Sequence, residues 1–291
     1  MLLKPKIIVI CGPTATGKTK IAIELAKSFG GEIINADSMQ VYKHMDIGTA
    51  KPSIEEQNQI KHHLIDIVNP DEQFDAAKFA ALSSEIIHEL NQKGIIPFVV
   101  GGTGLYIKSL IYGIFKQDQI IPEIRERLRQ EIFLFGAPYL HNKLNMCDPE
   151  SAKKIHPNDS VRILRAMETF ESNGKKISEY HINHGFRETQ FDALKIGLFI
   201  ERTYLYERIN NRVDKMIEMG FVNEVEKLLN MGYSENLKSM QSIGYKHLTD
   251  YLKGRISFDE AVITLKRDTR RYAKRQLTWF NADPDIIWVK P

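Results

Sequence analysis

The stretch Gly12-Pro13-Thr14-Ala15-Thr16-Gly17-Lys18-Thr19 matches the phosphate-loop pattern G-x-x-x-x-G-K-[ST]. It lies between a β-branched run, Lys6–Cys11, and an amphipathic segment, Lys18–Phe29, which predicts a strand, a loop and a helix. The two glycines let backbone N–H groups turn toward an anion at the helix N-terminus, and Lys18 adds a positive charge. We therefore predict that all eight residues bind phosphate groups and that the Thr19 hydroxyl is a Mg²⁺ ligand.

Further strands are predicted along the chain. The segments Glu32–Ala36, Ile95–Val100 and Leu194–Ile200 are short apolar runs, and helical patterns separate most of them. This alternation predicts an α/β protein with a P-loop NTPase-like, mostly parallel sheet flanked by helices. In such a sheet, ligands bind beyond the carboxyl ends of the strands, which is where the phosphate loop lies.

The strand pattern disappears between residues 117 and 191. Charged amphipathic segments such as Pro122–Arg129 and Ser160–Glu168 replace it there. We predict a helical insertion domain over 117–191, inside a catalytic core formed by 1–116 and 192–291. The last third of that core is mainly helical, with a long helix over Phe258–Phe280 and a short strand over Asp285–Val289.

The composition is that of an ordinary globular protein, with 43% hydrophobic and 26% charged residues. No apolar run approaches the length of a membrane span, and the two cysteines, Cys11 and Cys147, are far apart and outside any CxxC spacing. These features predict a cytoplasmic enzyme without a membrane anchor. The net charge of +3 conceals a local excess, because residues 253–275 contain eight basic and three acidic residues. Such a segment is a candidate polyanion-binding surface, and the alternative is a solvated helix face.

A carboxylate is expected beside the phosphate site. Asp37 follows the strand Glu32–Ala36, so it should lie at the same sheet edge as the phosphate loop, where it could accept a proton from an incoming nucleophile. Thr103 follows the strand Ile95–Val100 and offers a hydroxyl at that edge. The alternative for both residues is a helix N-cap. No clear Walker-B carboxylate follows Val100, and Asp66, in a weak strand pattern, is the remaining candidate.

The predicted helix after the fourth strand carries a basic face. Arg208, Arg212 and Lys215 recur at i, i+4 and i+7, on a different face from the apolar stripe of the same helix. Two guanidinium groups one turn apart suit a diphosphate, and solvated surface arginines are the alternative.

Six blocks of the sequence, in this order, resemble bacterial tRNA dimethylallyltransferases (tRNA isopentenyltransferases). They are GPTATGKT (12–19), NADSMQVYKHMDIGTAKP (35–52), HHLIDI (62–67), VGGTGLYI (100–107), QSIGYK (241–246) and RYAKRQLTWF (271–280). The resemblance covers nearly the whole chain. It implies transfer of a dimethylallyl group from dimethylallyl diphosphate to the exocyclic amine of the adenosine 3′ of the anticodon, in tRNAs reading codons that start with U.

The resemblance also implies roles for individual residues. The phosphate loop would hold the donor diphosphate through Lys18 and Thr19, with Mg²⁺ assisting as a cofactor, and Arg208 or Arg212 would close over the leaving group. Asp37 would take the proton of the amine, because that lone pair is delocalised into the ring and needs a base. Thr103 would orient the amine or a diphosphate oxygen.

The residues that the resemblance places against tRNA come from several parts of the chain. They are Asp37, Ser38, Met39, Gln40, Thr103, Arg125, Val161, Arg162, Ile163, Leu164, Arg165, Gln241, Ser242, Ile243, Gly244, Tyr245 and Lys246, with Arg270, Arg271, Lys274 and Arg275 on the basic helix. Two departures from the family pattern put fine contacts in doubt: the stretch Asp159-Ser160-Val161-Arg162, and Asn281 where an arginine is common.

Three rival functions remain open. An adenylate isopentenyltransferase would use the same donor with a free nucleotide, but the insertion and the basic helix would then have no role. A small-molecule P-loop kinase would transfer phosphate from ATP, and a tRNA-binding module would have no use for Asp37, Lys18 and Thr103 together. We expect the enzyme to act as a monomer.

Overall fold

The structure is a computed structural model that describes residues 4–113, 121–184 and 188–291. The described chain divides into two compact units. The first spans 4–111 and 190–291, and the second spans the described residues between 112 and 189.

The first unit contains all six strands. They are β1 (Lys6–Cys11), β2 (Gly31–Asn35), β3 (His62–His63), β4 (Ile96–Gly101), β5 (Asp192–Leu198) and β6 (Ile287–Val289). Its helices are α1 (Lys18–Phe29), α2 (Ile54–Gln59), α3 (Ala76–Gln92), α4 (Gly104–Tyr112), α10 (Arg202–Glu218), α11 (Phe221–Asn230), α12 (Tyr245–Leu252) and α13 (Phe258–Phe280). The helices of the second unit are α5 (Pro122–Phe135), α6 (Ala137–Cys147), α7 (Pro149–Lys154), α8 (Ser160–Asn173) and α9 (Ile177–His184).

The strands form one sheet in the order β3-β2-β4-β1-β5-β6, and every pair of neighbours is parallel. The prediction of an α/β fold with a mostly parallel sheet is therefore confirmed. Strand β1 lies between β4 and β5, with Cys11 opposite Gly101 on one side and Gly197 on the other. The loop after β1 thus leaves the middle of the sheet at its carboxyl edge, where ligands bind in this class of fold.

Both faces of the sheet are covered. Alternate strand residues, including Ile10, Phe98 and Leu198, pack against Ala22 and Ala26 of α1 in one cluster. The residues between them point to the opposite face and are equally buried, as Val9 and Val99 show. Strands buried on two faces form continuous apolar runs in the sequence, and such runs are what located β1 and β4.

The second unit has its own core. Leu128 of α5, Leu140 and Leu144 of α6 and Ile163 of α8 are fully buried together. Their spacing of three and four residues on amphipathic helices explains why this segment shows no strand pattern.

The structure differs from the sequence reading mainly at short elements. The weak pattern around His62 is a two-residue strand that pairs with β2 at the edge of the sheet. The fourth predicted strand begins two residues earlier, at Asp192, because it pairs with β1 from Lys6 onward. None of the helices described is both long enough and apolar enough to cross a membrane.

Candidate active site and its family

The phosphate loop (residues 12–19) adopts a conformation that its glycines permit. Gly12 and Gly17 have φ of 134° and 93°, in the region that side chains disfavour. A Cβ at Gly12 would also lie 2.7 Å from the carbonyl oxygen of Leu198. Two local hydrogen bonds close the loop, because the Thr16 hydroxyl and the Lys18 ammonium donate to the Pro13 carbonyl at 2.9 and 2.7 Å.

Three predicted cations converge on this loop. Arg212 Nη1 donates to the Thr14 hydroxyl at 3.1 Å, and Arg208 Nη2 lies 3.6 Å from the position a Gly17 Cβ would take. The pKa of Lys18 is lowered to about 8, mainly by burial and also by the charge of Arg212, while the Asp37 carboxylate acts in the opposite direction. Burial likewise lowers the pKa of the Arg212 guanidinium. Positive charges held this close and partly desolvated favour a bound anion.

Asp37 and Thr103 meet at the neighbouring strand ends. Oδ1 of Asp37 accepts the N–H groups of Met39 at 2.8 Å and Gln40 at 3.3 Å, so part of the carboxylate does cap a turn. Its Oδ2 has no hydrogen-bond donor among the described residues. The Thr103 hydroxyl accepts the Ser38 N–H at 3.0 Å, which joins the ends of β2 and β4. One carboxylate oxygen therefore remains to accept a proton beside the cationic loop.

Helix α13 contributes two residues that the sequence analysis did not single out. The Gln276 amide accepts the Thr14 N–H and donates to the Gly102 carbonyl, both at 2.9 Å, and it is buried. One turn earlier, Tyr272 lies beside Asp37: burial raises the pKa of its phenol, the Asp37 charge raises it further, and neighbouring Thr103 and Gln276 oppose the shift. Both residues lie within the family block 271–280, and Tyr272 also lies in the segment 253–275, which was predicted to bind a polyanion.

The glycines after β4 allow this approach of α13. A Cβ at Gly102 would lie 2.2 Å from Gln276 Nε2, and one at Gly104 would lie 2.1 Å from the Trp279 ring. Contacts this short would displace the Gln276 amide and the Trp279 ring from their positions. The run Gly101-Gly102-Thr103-Gly104 thus ends β4 and also seats α13 against the phosphate loop.

A cavity of about 770 Å³ opens beside the phosphate loop. Gly17 and Thr19 lie in one wall, and Arg208, Arg212 and Lys215 of α10 lie in another. The lining also includes apolar side chains, which are Ile47, Pro52, Ile54, Met216 and Met219. The cavity therefore combines an anion site with an apolar wall, which suits a ligand that carries both characters.

Asp66, the candidate for a Walker-B carboxylate, lines the same cavity but is already paired with a cation. It forms an ion pair with Lys51, whose buried ammonium also pairs with Asp46 and donates to the Tyr42 carbonyl at 3.0 Å. Within the described ranges no three His, Cys, Asp or Glu residues are grouped as a metal site. Thr19, which was predicted to be a Mg²⁺ ligand, lies in the cavity wall.

Tyr245, in the block 241–246, is linked through Glu224 to a loop of the cavity wall. Tyr245 is fully buried, and its hydroxyl donates to Glu224 at 2.6 Å. The same carboxylate accepts the N–H groups of Asp46, Ile47 and Gly48 at 2.7 to 3.1 Å. The structure therefore corrects the predicted tRNA contact of the Tyr245 side chain, which holds a loop of the cavity wall. Glu224 had no motif around it that could have indicated this role.

Gln40 and Gly244 also have structural roles. The Gln40 amide donates to the carbonyls of Thr49 and Ala50, both at 3.1 Å. Gly244 has φ of 97° and is buried, and a Cβ there would lie 2.8 Å from the Phe221 ring. Gln241 and Lys246, at the two ends of the block 241–246, are exposed.

The basic segment is less positive than its sequence suggests. Lys266 pairs with Asp214 at 2.6 Å, and Arg267 and Arg271 both pair with Asp268. Acidic residues outside the segment also neutralise its start, since Glu235 pairs with both Lys253 and Arg255. Arg270 donates to the Asn210 side chain at 2.6 Å. In the part of the chain that the structure describes, Lys274 and Arg275 are exposed and form no ion pair.

The residues of the second unit that were predicted to contact tRNA differ in their exposure and in their partners. Ile163 is fully buried in the core of that unit, which corrects the expectation that its side chain contacts tRNA. Arg125 makes a two-pronged ion pair with buried Glu168, at 2.6 and 3.2 Å, and Arg162 pairs with Asp159 at 2.6 Å. Val161 is 76% exposed. Leu164 and Arg165 are partly buried.

Comparisons with known proteins agree with this geometry. Residues 40–283 match the model of the IPP transferase family. The chain is 53% identical to a tRNA dimethylallyltransferase of Desulfosudis oleivorans over 98% of this chain and 91% of that protein. It is 52% identical to the same-named protein of Acetivibrio thermocellus over 97% of this chain and 91% of that protein.

Solved structures give the same result. The structure of a tRNA isopentenylpyrophosphate transferase from Bacillus halodurans has a TM-score of 0.74 and 43% identity, covering 99% of this chain and 90% of that one. A eukaryotic dimethylallyltransferase acting on tRNA has a TM-score of 0.81 and 31% identity, covering 98% of this chain and 73% of that one. A family model over most of the chain, and relatives this similar across its whole length, show that the chain belongs to the IPP transferase family.

Proposed function

We propose that the protein transfers the dimethylallyl group of dimethylallyl diphosphate to the exocyclic amine of an adenosine in tRNA and releases diphosphate. The single observation that carries this proposal is the open Oδ2 of Asp37, a carboxylate oxygen beside the cationic phosphate loop. A carboxylate next to an anion site costs electrostatic energy. A role as proton acceptor for the incoming amine explains why a carboxylate is placed there. The family's tRNA-modifying relatives support the choice of acceptor.

The donor diphosphate fits the phosphate loop. Backbone N–H groups of the loop and the Lys18 ammonium would hold it, with Arg212 already within hydrogen-bond distance of the Thr14 hydroxyl. Arg208 lies close enough to reach the same phosphates. Mg²⁺ would be held by Thr19 and phosphate oxygens, since this ion keeps several waters and needs few protein ligands. When bound, it neutralises charge that develops on the leaving group.

In the chemical step one bond breaks and one bond forms. The bond between C1 of the donor and its bridging oxygen breaks, and a bond between C1 and the adenine nitrogen forms. The nitrogen loses a proton to Oδ2 of Asp37, and the diphosphate leaves with the electron pair of the broken bond. The Thr103 hydroxyl, fixed by the Ser38 N–H, would orient the amine. Charges preorganised around the leaving group lower the barrier because they need no rearrangement during the reaction.

The residues that were predicted to contact tRNA and are exposed suggest where the acceptor binds. We infer that the helical domain predicted over 117–191 contacts tRNA, with Val161 exposed on α8 and Arg125 and Arg162 held in ion pairs on their helices. Lys274 and Arg275 would meet backbone phosphates. The target adenosine, 3′ of the anticodon, would leave its stack to reach Asp37, and contacts elsewhere would offset that cost of a few kcal/mol. Such a monomeric enzyme would work in the cytoplasm, where its tRNA substrate is found.

One assay tests the proposal directly. Purified protein is incubated with dimethylallyl diphosphate and Mg²⁺ together with unmodified tRNA, AMP or no acceptor, and the products are analysed by mass spectrometry. We expect tRNA to gain one C₅H₈ unit at an adenosine 3′ of the anticodon, and AMP to remain unchanged. Modification of AMP alone would show an adenylate isopentenyltransferase. Transfer of labelled γ-phosphate from ATP, with no prenylation, would show a kinase.

A further inference from the structure

Gln276 connects the two halves of the site through one buried amide. Its Oε1 accepts the N–H of Thr14, in the loop proposed to hold the donor, at 2.9 Å. Its Nε2 donates to the carbonyl of Gly102 at 2.9 Å, one residue before Thr103 at the acceptor edge. A glutamine side chain can satisfy both partners because it carries a donor and an acceptor a fixed distance apart.

The residues around this amide leave it little freedom to move. The Thr14 residue is held from two sides, since Arg212 of α10 donates to its hydroxyl while Gln276 of α13 accepts its N–H. On the other side, Gly102 has no side chain, and an added Cβ would lie 2.2 Å from Nε2. Sheet pairing holds Cys11 opposite Gly101, and beyond that pair the Gln276 side chain links Thr14 of the phosphate loop to Gly102 of the strand end.

We propose that Gln276 is a positioning residue that sets the distance and alignment between the donor diphosphate and the acceptor amine. The proposal rests on the transfer reaction proposed above. Displacing one reactant by about 1 Å costs in-line reactions up to roughly 100-fold in rate, even where both substrates still bind. Loss of the bridge should therefore reduce the rate of transfer rather than the affinity for either substrate.

The test uses Gln276→Leu, which removes both hydrogen bonds at similar volume, and Gln276→Glu, which keeps an acceptor for Thr14 but faces the Gly102 carbonyl with a carboxylate. A matched control is Asn91→Leu. The Asn91 amide also joins backbone groups, accepting from and donating to Lys6 at 3.3 Å, but at the amino end of β1. Each protein is assayed for single-turnover transfer to tRNA, for dissociation constants with inorganic pyrophosphate and with tRNA, and for thermal stability.

We expect Gln276→Leu to lower the single-turnover rate by about 10- to 100-fold, with both dissociation constants within about threefold of wild type. Gln276→Glu should also lose at least about tenfold, and part of that loss should be recovered at lower pH, where a protonated glutamic acid regains a donor for Gly102. Asn91→Leu should lose stability without losing rate.

Three results would overturn the positioning role. The first is a Gln276→Leu rate equal to that of wild type. The second is a pyrophosphate affinity that weakens by the same factor as the rate, which would show that Gln276 acts only on anion binding by the phosphate loop. The third, decisive if Gln276→Leu does not fold, is full activity of Gln276→Glu. Absence of transfer by the wild-type protein would instead refute the reaction itself, and the two failures are thus distinguishable.

Discussion

Lys18 gives the clearest pH-dependent expectation. Its pKa is lowered from 10.5 to about 8, first by burial and then by the charge of Arg212, so the free protein loses this proton within an accessible pH range. Below pH 8 the charged lysine lowers the free energy of unfolding of the unliganded protein. This destabilisation disappears as the pH rises from 8 to 10.5. Diphosphate requires the protonated form. About 90% of Lys18 is protonated at pH 7 and about 10% at pH 9, so the affinity should fall about tenfold between them.

Isothermal titration with inorganic pyrophosphate at pH 7, 8 and 9 measures this dependence. Lys18→Arg is the matched control, because a guanidinium keeps its proton throughout and the ionisation of the ligand itself is common to both proteins. We expect the affinity of wild type relative to Lys18→Arg to fall about tenfold from pH 7 to 9. A ratio that stays constant over this range would refute the lowered pKa and the burial of the Lys18 ammonium that mainly causes it.

Three further expectations concern the base, the loop and the tRNA surface. Asp37→Ala should leave tRNA binding nearly intact and lower single-turnover transfer by about 10²- to 10⁴-fold, and an unchanged rate would remove Asp37 from the chemistry. Glu224→Ala leaves three loop N–H groups without an acceptor; it should lower the free energy of unfolding by at least about 2 kcal/mol in urea titrations and raise KM for the donor. Wild-type stability would contradict that role. The double variant Lys274→Ala/Arg275→Ala should weaken tRNA binding and reduce the slope of log affinity against log salt by about 1 per lost phosphate contact, whereas Arg267→Ala, already paired with Asp268, should change it little. Equal slopes in all three proteins would show that this face of α13 does not meet tRNA.

The features of the site that sequence could predict are those encoded locally. The phosphate loop is a contiguous motif, and Asp37 and Thr103 directly follow strands whose apolar runs are easy to locate. Parallel strands bring their carboxyl ends to one edge, so placing these residues together required only the topology. The confirmed α/β fold follows from the same patterns.

The remaining features depend on pairings that no local pattern carries. Gln276 meets Thr14 across 262 residues of sequence, directly after the basic segment 253–275. The charge of that segment was overestimated because Asp214 and Glu235, which pair with Lys266 and with Lys253 and Arg255, lie outside it. Tyr245 was predicted to contact tRNA because the sequence does not show that its hydroxyl is bonded to Glu224. Burial and long-range partners are thus what a single sequence conceals.

The carboxylate of Glu224 has a consequence for which anions the cavity can accept. Three successive N–H groups, those of Asp46, Ile47 and Gly48, form a concavity of the kind that binds phosphate in other proteins. Asp46 and Ile47 line the same cavity as the phosphate loop. Because the Glu224 carboxylate already accepts these three N–H groups, a diphosphate entering the cavity would find them occupied. Glu224 thereby favours the phosphate loop as the anion site of this cavity.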